Sequence, residues 1–393
     1  MRLGFDAKRA LQNATGLGNY SRDVLRILAR HRPGHAYLAY SPPGGRFALP
    51  EGVELRRPDR APGRLLGSAW RLAGIAAQAH RDGVELFHGL SGELPIGIED
   101  RVARSVVTVH DLIFERFPDL YGRIDRRIYR WKFRSAIRRA DLVVAISEQT
   151  ARDLVELYGA DRARIRVVYQ GCRPDFHAAP APGVLEEARR RLALPERFLL
   201  SVGTIEPRKN AALAVRALAG LPGVHLLLVG RETPYARAVR DEAARLGVDG
   251  RVRFLPAVEP GDLVALYRLA AAAVQPSFYE GFGIPIVEAL ASGCPVVTTR
   301  GGVFPEAGGP ESAYVDPRDP EELRAALSAI LGDEGRRERM RAAGLVHARR
   351  FSDEAIAGAL WAVYEEALGR PAGGGGAPGA GAATDRRSRS PGP

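Results

Sequence analysis

Residues 274–299 read VQPSFYEGFGIPIVEALASGCPVVTT. The apolar run ending at about Gln275 predicts a strand, and CPVVTT at 294–299 predicts another. Between them Gly281 and Gly283 permit a tight backbone, Pro285 suits a first helical turn, and the helix is expected to reach about Ala291. Strand, helix and strand in so short a span form the unit of a parallel sheet. The first-turn amides of that helix, with the positive end of its dipole, make an anion site. Glu280 falls in the loop, and Glu288 lies about one turn into the helix, placed to accept hydrogen bonds from paired hydroxyls such as those of a ribose.

The same rhythm runs outward from this stretch. RFLLSVG (197–203), VHLLLVG (224–230), VRFLP (252–256) and AAAVQPS (271–277) complete one set of parallel-type strands with helices between them. RLGFD (2–6), VELFHG (84–89), SVVTVHD (105–111), DLVVAIS (141–147) and IRVVYQG (165–171) form an earlier set. The fold class is therefore α/β, with two Rossmann-like domains whose parallel sheets face each other across a cleft at the strands' carboxyl ends. The first domain is expected over 1–172, a Pro- and Ala-rich linker over 173–196, and the second domain over 197–351. From 370 to 393 the chain is poor in apolar side chains and is expected to be disordered.

Composition agrees with two soluble domains: 393 residues, 46% hydrophobic and 26% charged. No run of about 18 uncharged apolar residues occurs, so no membrane span is expected. MRLGFDAKRA lacks the long apolar core of a secretory leader, and Cys172 and Cys294 stand far apart without a nearby Cys or His partner. A cytoplasmic location without a thiolate zinc site follows as the expectation. Residues 1–180 hold 30 basic and 20 acidic side chains, a balance of +10, whereas 181–393 hold 27 and 26, a balance of +1. That asymmetry calls for an acidic partner of the first half, whether a phosphorylated acceptor, an anionic membrane or nucleic acid.

Three further constellations carry chemistry. In SVGTIEPRKNAALAV (201–215), Arg208 and Lys209 come at the mouth of a helix that Asn210 can cap; two cations there oppose the dipole, and a phosphate would relieve the conflict. In the first half, Gly16-Leu17-Gly18 opens a helix expected from about Asn19, so its amides could approach a ligand closely, although Ser21 replaces the third glycine of a dinucleotide fingerprint. His110 ends its strand at the carboxyl edge of the first sheet, facing the cleft. GRIDRRIYRWKFRSAIRRAD (122–141) carries eight basic residues against one acid before Asp141, with Ile124, Ile128, Trp131 and Ile137 near helical spacing. It reads equally as a solvated arginine-rich helix or as an element that meets a membrane surface or an anionic substrate.

Taken together, Glu280-Gly-Phe-Gly-Ile-Pro-Ile-Val-Glu288, Glu206-Pro-Arg-Lys-Asn210, HGLSGELP (88–95), His110-Asp111-Leu112 and ISEQTARDL (146–154) resemble the retaining glycosyltransferases of family four, in their bacterial mannosyltransferase-like branch. The resemblance covers about 1–369 and implies the GT-B architecture, with residues 352–369 forming a helix that packs back toward the first domain. It further implies transfer of a hexose, mannose or glucose, from a nucleoside diphosphate sugar to a glycan or lipid-linked acceptor in cell-surface polysaccharide synthesis. No cofactor or metal is required, nucleic acid is not a partner, and peripheral contact with the inner face of an anionic membrane is expected through the basic first domain. In this resemblance Glu288 holds the ribose, Arg208 and Lys209 the diphosphate, and Glu280 with the backbone of Phe282, Gly283 and Ile284 the sugar. Gly16 and Gly18 close on the phosphates, and His110 sits beside the reacting carbon or the 6-hydroxyl. Many relatives carry an Arg directly after the glycine that ends the second domain's first strand; Thr204 stands there in this chain, leaving Arg208 to supply that charge. A nucleotide-sugar epimerase or phosphorylase of the same architecture is the alternative, and a nucleic-acid-binding protein a third reading that rests on the basic pI of about 10.0 alone.

Overall fold

The structure, a computed structural model, describes residues 1–58, 67 and 69–370. Of the expected disordered tail, residues 371–393 lie outside the described residues, and Arg370 is held by its amide on the Glu365 carbonyl at 2.9 Å.

Seven parallel strands form the first sheet: β1 (Arg2–Asp6), β2 (Ala36–Tyr40), β3 (Val53–Arg56), β4 (Leu86–Gly89), β5 (Arg104–Val109), β6 (Leu142–Ala145) and β7 (Ile165–Val167), in the order β3-β2-β1-β4-β5-β6-β7. Six form the second: β8 (Phe198–Val202), β9 (His225–Val229), β10 (Val252–Leu255), β11 (Ala272–Gln275), β12 (Val296–Thr299) and β13 (Ala313–Val315), in the order β10-β9-β8-β11-β12-β13. Each order reverses beside the sheet's first strand, between β1 and β4 and between β8 and β11. Loops leaving the carboxyl ends of such a pair diverge and open a crevice.

The central strands are continuous apolar runs because helices cover both faces, which is why they are readable in the sequence. β2, β3 and β13 are not among the expected strands. β3 (VELR) sits at the sheet edge with two charged residues in four, and β13 (AYV) has only three residues, too few to show a period. β2 (AYLAY) is a five-residue apolar run that periodicity alone does not separate from a helix. Residues 173–196, read as a linker, hold helices Pro174–His177 and Val184–Arg191; the second is tied to the helix Pro260–Leu269 by Arg191 and Asp262.

The chain returns to the first domain at its end. Helix Asp353–Ala367 lies on helix Gly16–His31 and on β5, with Asp353 paired to Arg26 and the Ala367 carbonyl accepting from Arg104 Nε at 2.8 Å. Its Tyr364 hydroxyl is 2.7 Å from His88 Nδ1, both side chains fully buried, and burial pushes the His88 imidazole down to about 3. A neutral imidazole there needs its partner. Tyr364→Phe is expected to lower unfolding stability by about 1–2 kcal/mol in urea titration, because it leaves a buried ring nitrogen unpaired.

Candidate functional site

β8 and β11 are neighbours, although 72 residues separate Arg208 from Glu280 along the chain. The turn after β8 carries Arg208 and Lys209 in the short helix Pro207–Lys209, and the loop after β11 carries Glu280. Their side chains meet: Arg208 Nη1 is 2.9 Å and Lys209 Nζ 2.5 Å from the two oxygens of the Glu280 carboxylate. Arg208 also donates to the Tyr279 carbonyl at 2.5 Å and to Glu206 at 2.7 Å. Burial alone would raise the Glu280 pKa, but the two cations outweigh it and hold the carboxyl down at about 2.

Asn210 does not cap the following helix, Ala211–Ala219, as expected. It adopts a left-handed conformation (φ 57°), and its amide donates instead to the carbonyls of Pro276 and Pro317 at 3.1 and 2.7 Å. The side chain thereby ties the Arg208 turn to the Glu280 loop. The crevice among Lys209, Glu280, Gly283 and Pro285 leaves no room for a water-sized group, so a ligand reaching the two cations must displace the carboxylate.

Helix Ile284–Ala291 starts one residue before Pro285, behind Gly283 at φ 99°, a conformation that favours glycine. Phe282 turns its ring inward, stacked on Tyr169 at 5.5 Å and edge-on to Phe351 at 5.3 Å, so it joins the first domain, the second and the returning chain. Glu288 accepts from the Tyr267 hydroxyl at 3.1 Å, and burial raises its pKa to about 7 against the opposing pull of that bond and of Arg173. Glu288 and Ile284 form one wall of a 640 Å³ cavity between the domains. The opposite wall is helix Gly16–His31, through Gly16, Asn19, Tyr20 and Asp23, while Gln170 and Arg173 close one end. Sequence reading missed Arg173, Gln170, Asp23 and Tyr267; Gln170 ends the stretch read as the strand IRVVYQG and Arg173 opens the segment read as the linker, and a polar residue at a strand's carboxyl end was the available signal.

In the first domain, Gly16 and Gly18 belong to the helix itself, which begins at Gly16 rather than near Asn19. Gly16 is open to the cavity, whereas a Cβ on Gly18 would fall 1.8 Å from the Asn13 carbonyl oxygen, so Gly18 is required for packing. His110 is buried. Its Nε2 lies 2.9 Å from the Leu90 carbonyl, which can only accept, and its Nδ1 lies 3.1 Å from the Gln170 amide nitrogen, which can only donate. The ring is therefore neutral with the proton on Nε2, in keeping with a pKa driven down to about 4 by burial.

The domains touch beside this site. A Cβ on Gly281 would lie 2.7 Å from the His110 carbonyl oxygen, and Ser147 Oγ donates to the Gly281 carbonyl at 2.9 Å. Tyr279 donates to Asp153, and Glu306 accepts from the first amides of helix Glu148–Tyr158 at 2.7 and 3.0 Å. Thus His110, Glu280, Arg208 and Lys209 gather at one seam, while Glu288, Ile284 and Gly16 line the adjoining cavity. Among the described residues no group of three His, Cys, Asp or Glu side chains is arranged to hold a metal.

Residues 14–176 match the family described as Glycosyltransferase Family 4, and residues 185–346 match Glycosyl transferases group 1. The chain belongs to glycosyltransferase family 4. It is 28% identical over 373 residues to O-antigen chain mannosyltransferase B of Escherichia coli, covering 90% of this chain and 97% of that protein. It is 34% identical over 242 residues to the D-inositol 3-phosphate glycosyltransferase of Corynebacterium glutamicum; that match takes in 58% of each chain, little more than half of that relative's length. The Anabaena protein HepE, solved in complex with UDP and glucose, superposes with a TM-score of 0.71 at 21% identity, over 93% of this chain and 99% of that one. The glycosyltransferase thus has the two facing α/β domains of the GT-B fold.

One electrostatic consequence is measurable. Because the folded-state pKa of Glu288 lies above that of an ordinary carboxyl, the folded state binds its proton more tightly, and stability falls as pH rises from about 4.5 to about 7. Urea titrations at pH 5 and pH 8 are expected to show a smaller pH-dependent loss in Glu288→Gln than in the unsubstituted enzyme, by on the order of 2 kcal/mol.

Proposed function

We propose that this glycosyltransferase moves a hexose, mannose or glucose, from a nucleoside diphosphate sugar to a glycan or lipid-linked acceptor of cell-surface polysaccharide, with retention at the anomeric carbon and without a metal. The observation that carries this reading is the pair of largely buried cations after β8, Arg208 and Lys209, bridged by the Glu280 carboxylate from the loop after β11, beside a cavity that Glu288 lines. A diphosphate offers two cations more charge and more acceptors than Glu280 does, so it takes them over, Arg208 binding with forked donors and Lys209 as a point charge. The displaced Glu280 then accepts from sugar hydroxyls, with the backbone of Phe282, Gly283 and Ile284 beside it.

Charge grows on the diphosphate as the glycosidic bond breaks, and fixed cations already in place stabilise it without reorganisation. Departure and attack on one face of the sugar give retention; Glu280 and Glu288 share one loop and helix and are not disposed as a nucleophile and acid on opposite sides of the bond. His110 meets a sugar hydroxyl through Nδ1, in place of the Gln170 amide. Gly16 presents its amide to the ligand from the other wall of the cavity. The E. coli relative is named a mannosyltransferase, and the Anabaena protein binds UDP and glucose; both support a nucleotide-sugar donor here.

A thermal-shift screen of GDP-mannose, UDP-glucose and related donors tests the assignment. Glu288→Ala and Lys209→Ala are each expected to abolish the donor-induced shift while leaving the protein folded, and a full shift in both variants would overturn it. Donor affinity is also expected to rise about tenfold between pH 6 and pH 8 as Glu288 ionises to accept the ribose hydroxyls, and to lose that dependence in Glu288→Gln, as read by titration calorimetry.

A further inference from the structure

Two serine hydroxyls among the described residues are buried without a hydrogen-bond partner, those of Ser277 and Ser292. A buried hydroxyl that donates to nothing costs stability, so each needs a reason. Ser292 closes the carboxyl end of helix Ile284–Ala291, at the opposite end from Gly283. Ser277 is placed differently. It is fully buried and lines the crevice of Lys209, Glu280, Gly283 and Pro285, where one of the two cations, its carboxylate and the first turn of that helix converge.

The backbone around Ser277 is fixed from three sides. The Pro276 carbonyl before it accepts from the Asn210 amide at 3.1 Å, its own carbonyl accepts from Thr299 Oγ1 at 2.6 Å, and the Phe278 amide after it donates to the Arg208 carbonyl at 2.9 Å. The neighbouring threonines commit their hydroxyls locally, Thr299 in this way and Thr298 on the Gln275 carbonyl at 2.8 Å. Only the Ser277 hydroxyl in this strand-end cluster is left over. No water-sized group fits the crevice, so solvent does not complete it. An acceptor has to arrive with a ligand that moves Glu280 aside.

We propose that Ser277 is a further contact of the donor, its hydroxyl donating to the phosphate that bears the sugar. This inference rests on the donor reading above and adds a residue to it. Lys209, assigned to the diphosphate, and Gly283, assigned beside the sugar, line the crevice together with Ser277, and the phosphate that joins those two parts of the ligand is the one that carries the sugar. An ionised phosphate oxygen is a strong acceptor for a hydroxyl held in place beforehand. Negative charge grows on that phosphate as its bond to the sugar breaks, so the hydrogen bond from Ser277 strengthens in the transition state.

Titration calorimetry of the full chain with UDP and GDP, and with UMP and GMP, tests it. Ser277→Ala is expected to weaken binding of the better-bound diphosphate about tenfold and to leave monophosphate binding within about twofold, since a monophosphate lacks the phosphate in question. Ser292→Ala, which removes the other unpaired hydroxyl, is expected to leave both affinities unchanged. Each variant is expected to melt about 2 °C above the unsubstituted enzyme, because each loses a buried donor that had no acceptor. Full retention of diphosphate affinity in Ser277→Ala, an equal loss for the monophosphate, or an equal loss in Ser292→Ala would overturn the proposal. So would a lower melting temperature in Ser277→Ala, which would show the hydroxyl paired within the free protein. If the unsubstituted protein binds neither diphosphate, the donor reading itself fails and takes this inference with it; binding that Ser277→Ala keeps in full removes the inference alone.

Discussion

Two cations that share the carboxylate of Glu280 set the character of the whole site. Arg208 and Lys209 are largely shut away from water; Glu280 bridges both, and Glu206 pairs with Arg208 as well. Burying charge is costly unless it is paired, and breaking such a pair from one side leaves an uncompensated ion. The arrangement therefore persists only while both cations keep an anionic partner, whether these carboxylates or an anion that takes their place. The strand order makes this possible. Only because β8 and β11 are adjacent at the reversal point do two loops so distant in sequence bring their charged ends together.

The seam between the domains is built from the same loops. Gly281 packs on the His110 backbone, Tyr279 reaches Asp153, and Glu306 caps helix Glu148–Tyr158 from across the cleft. A carboxylate at a helix N-terminus gains from both the free amides and the dipole. The crevice around Lys209 and Glu280 lies within the second domain and is closed, while the cavity beside Glu288, between the domains, is roomy. The loop that carries Glu280 thus takes part both in the ion pairs with Arg208 and Lys209 and, through Tyr279 and Gly281, in the contact between the domains.

Much of this was legible in the sequence, and the rest was hidden for identifiable reasons. The central strands announce themselves as apolar runs because both faces are covered, and the helix after Gly283 is marked by its glycine and proline. Edge strands such as β3 alternate too briefly to be seen. Spacing placed Arg208, Lys209 and Glu280 at one cleft, but that they neutralise one another is a fact of strand adjacency, which no local pattern carries. Gly18 looked like a ligand-binding glycine and is a packing glycine, because the carbonyl that excludes its Cβ belongs to Asn13 in a turn with no sequence signature. Of the cavity wall, Arg173 fell in a stretch rich in proline and alanine, where composition pointed to a linker, and Gln170 at the end of a run read only as a strand.

The two domains differ in the kind of chemistry they can offer. His110, which meets the seam beside Asp111 and Asp153, is neutral at physiological pH, with its one N–H committed to the Leu90 carbonyl. A group so placed can accept a hydrogen bond at Nδ1 and can neither deliver a proton from that nitrogen nor bring a charge. The second domain supplies the reverse: fixed cations and two carboxyls whose environments drive their pKa values apart, Glu280 to about 2 and Glu288 to about 7. The fixed cations of the cleft thus come from the second domain. The first domain contributes orientation, through a neutral ring and a helix whose opening turn is bare of side chain at Gly16.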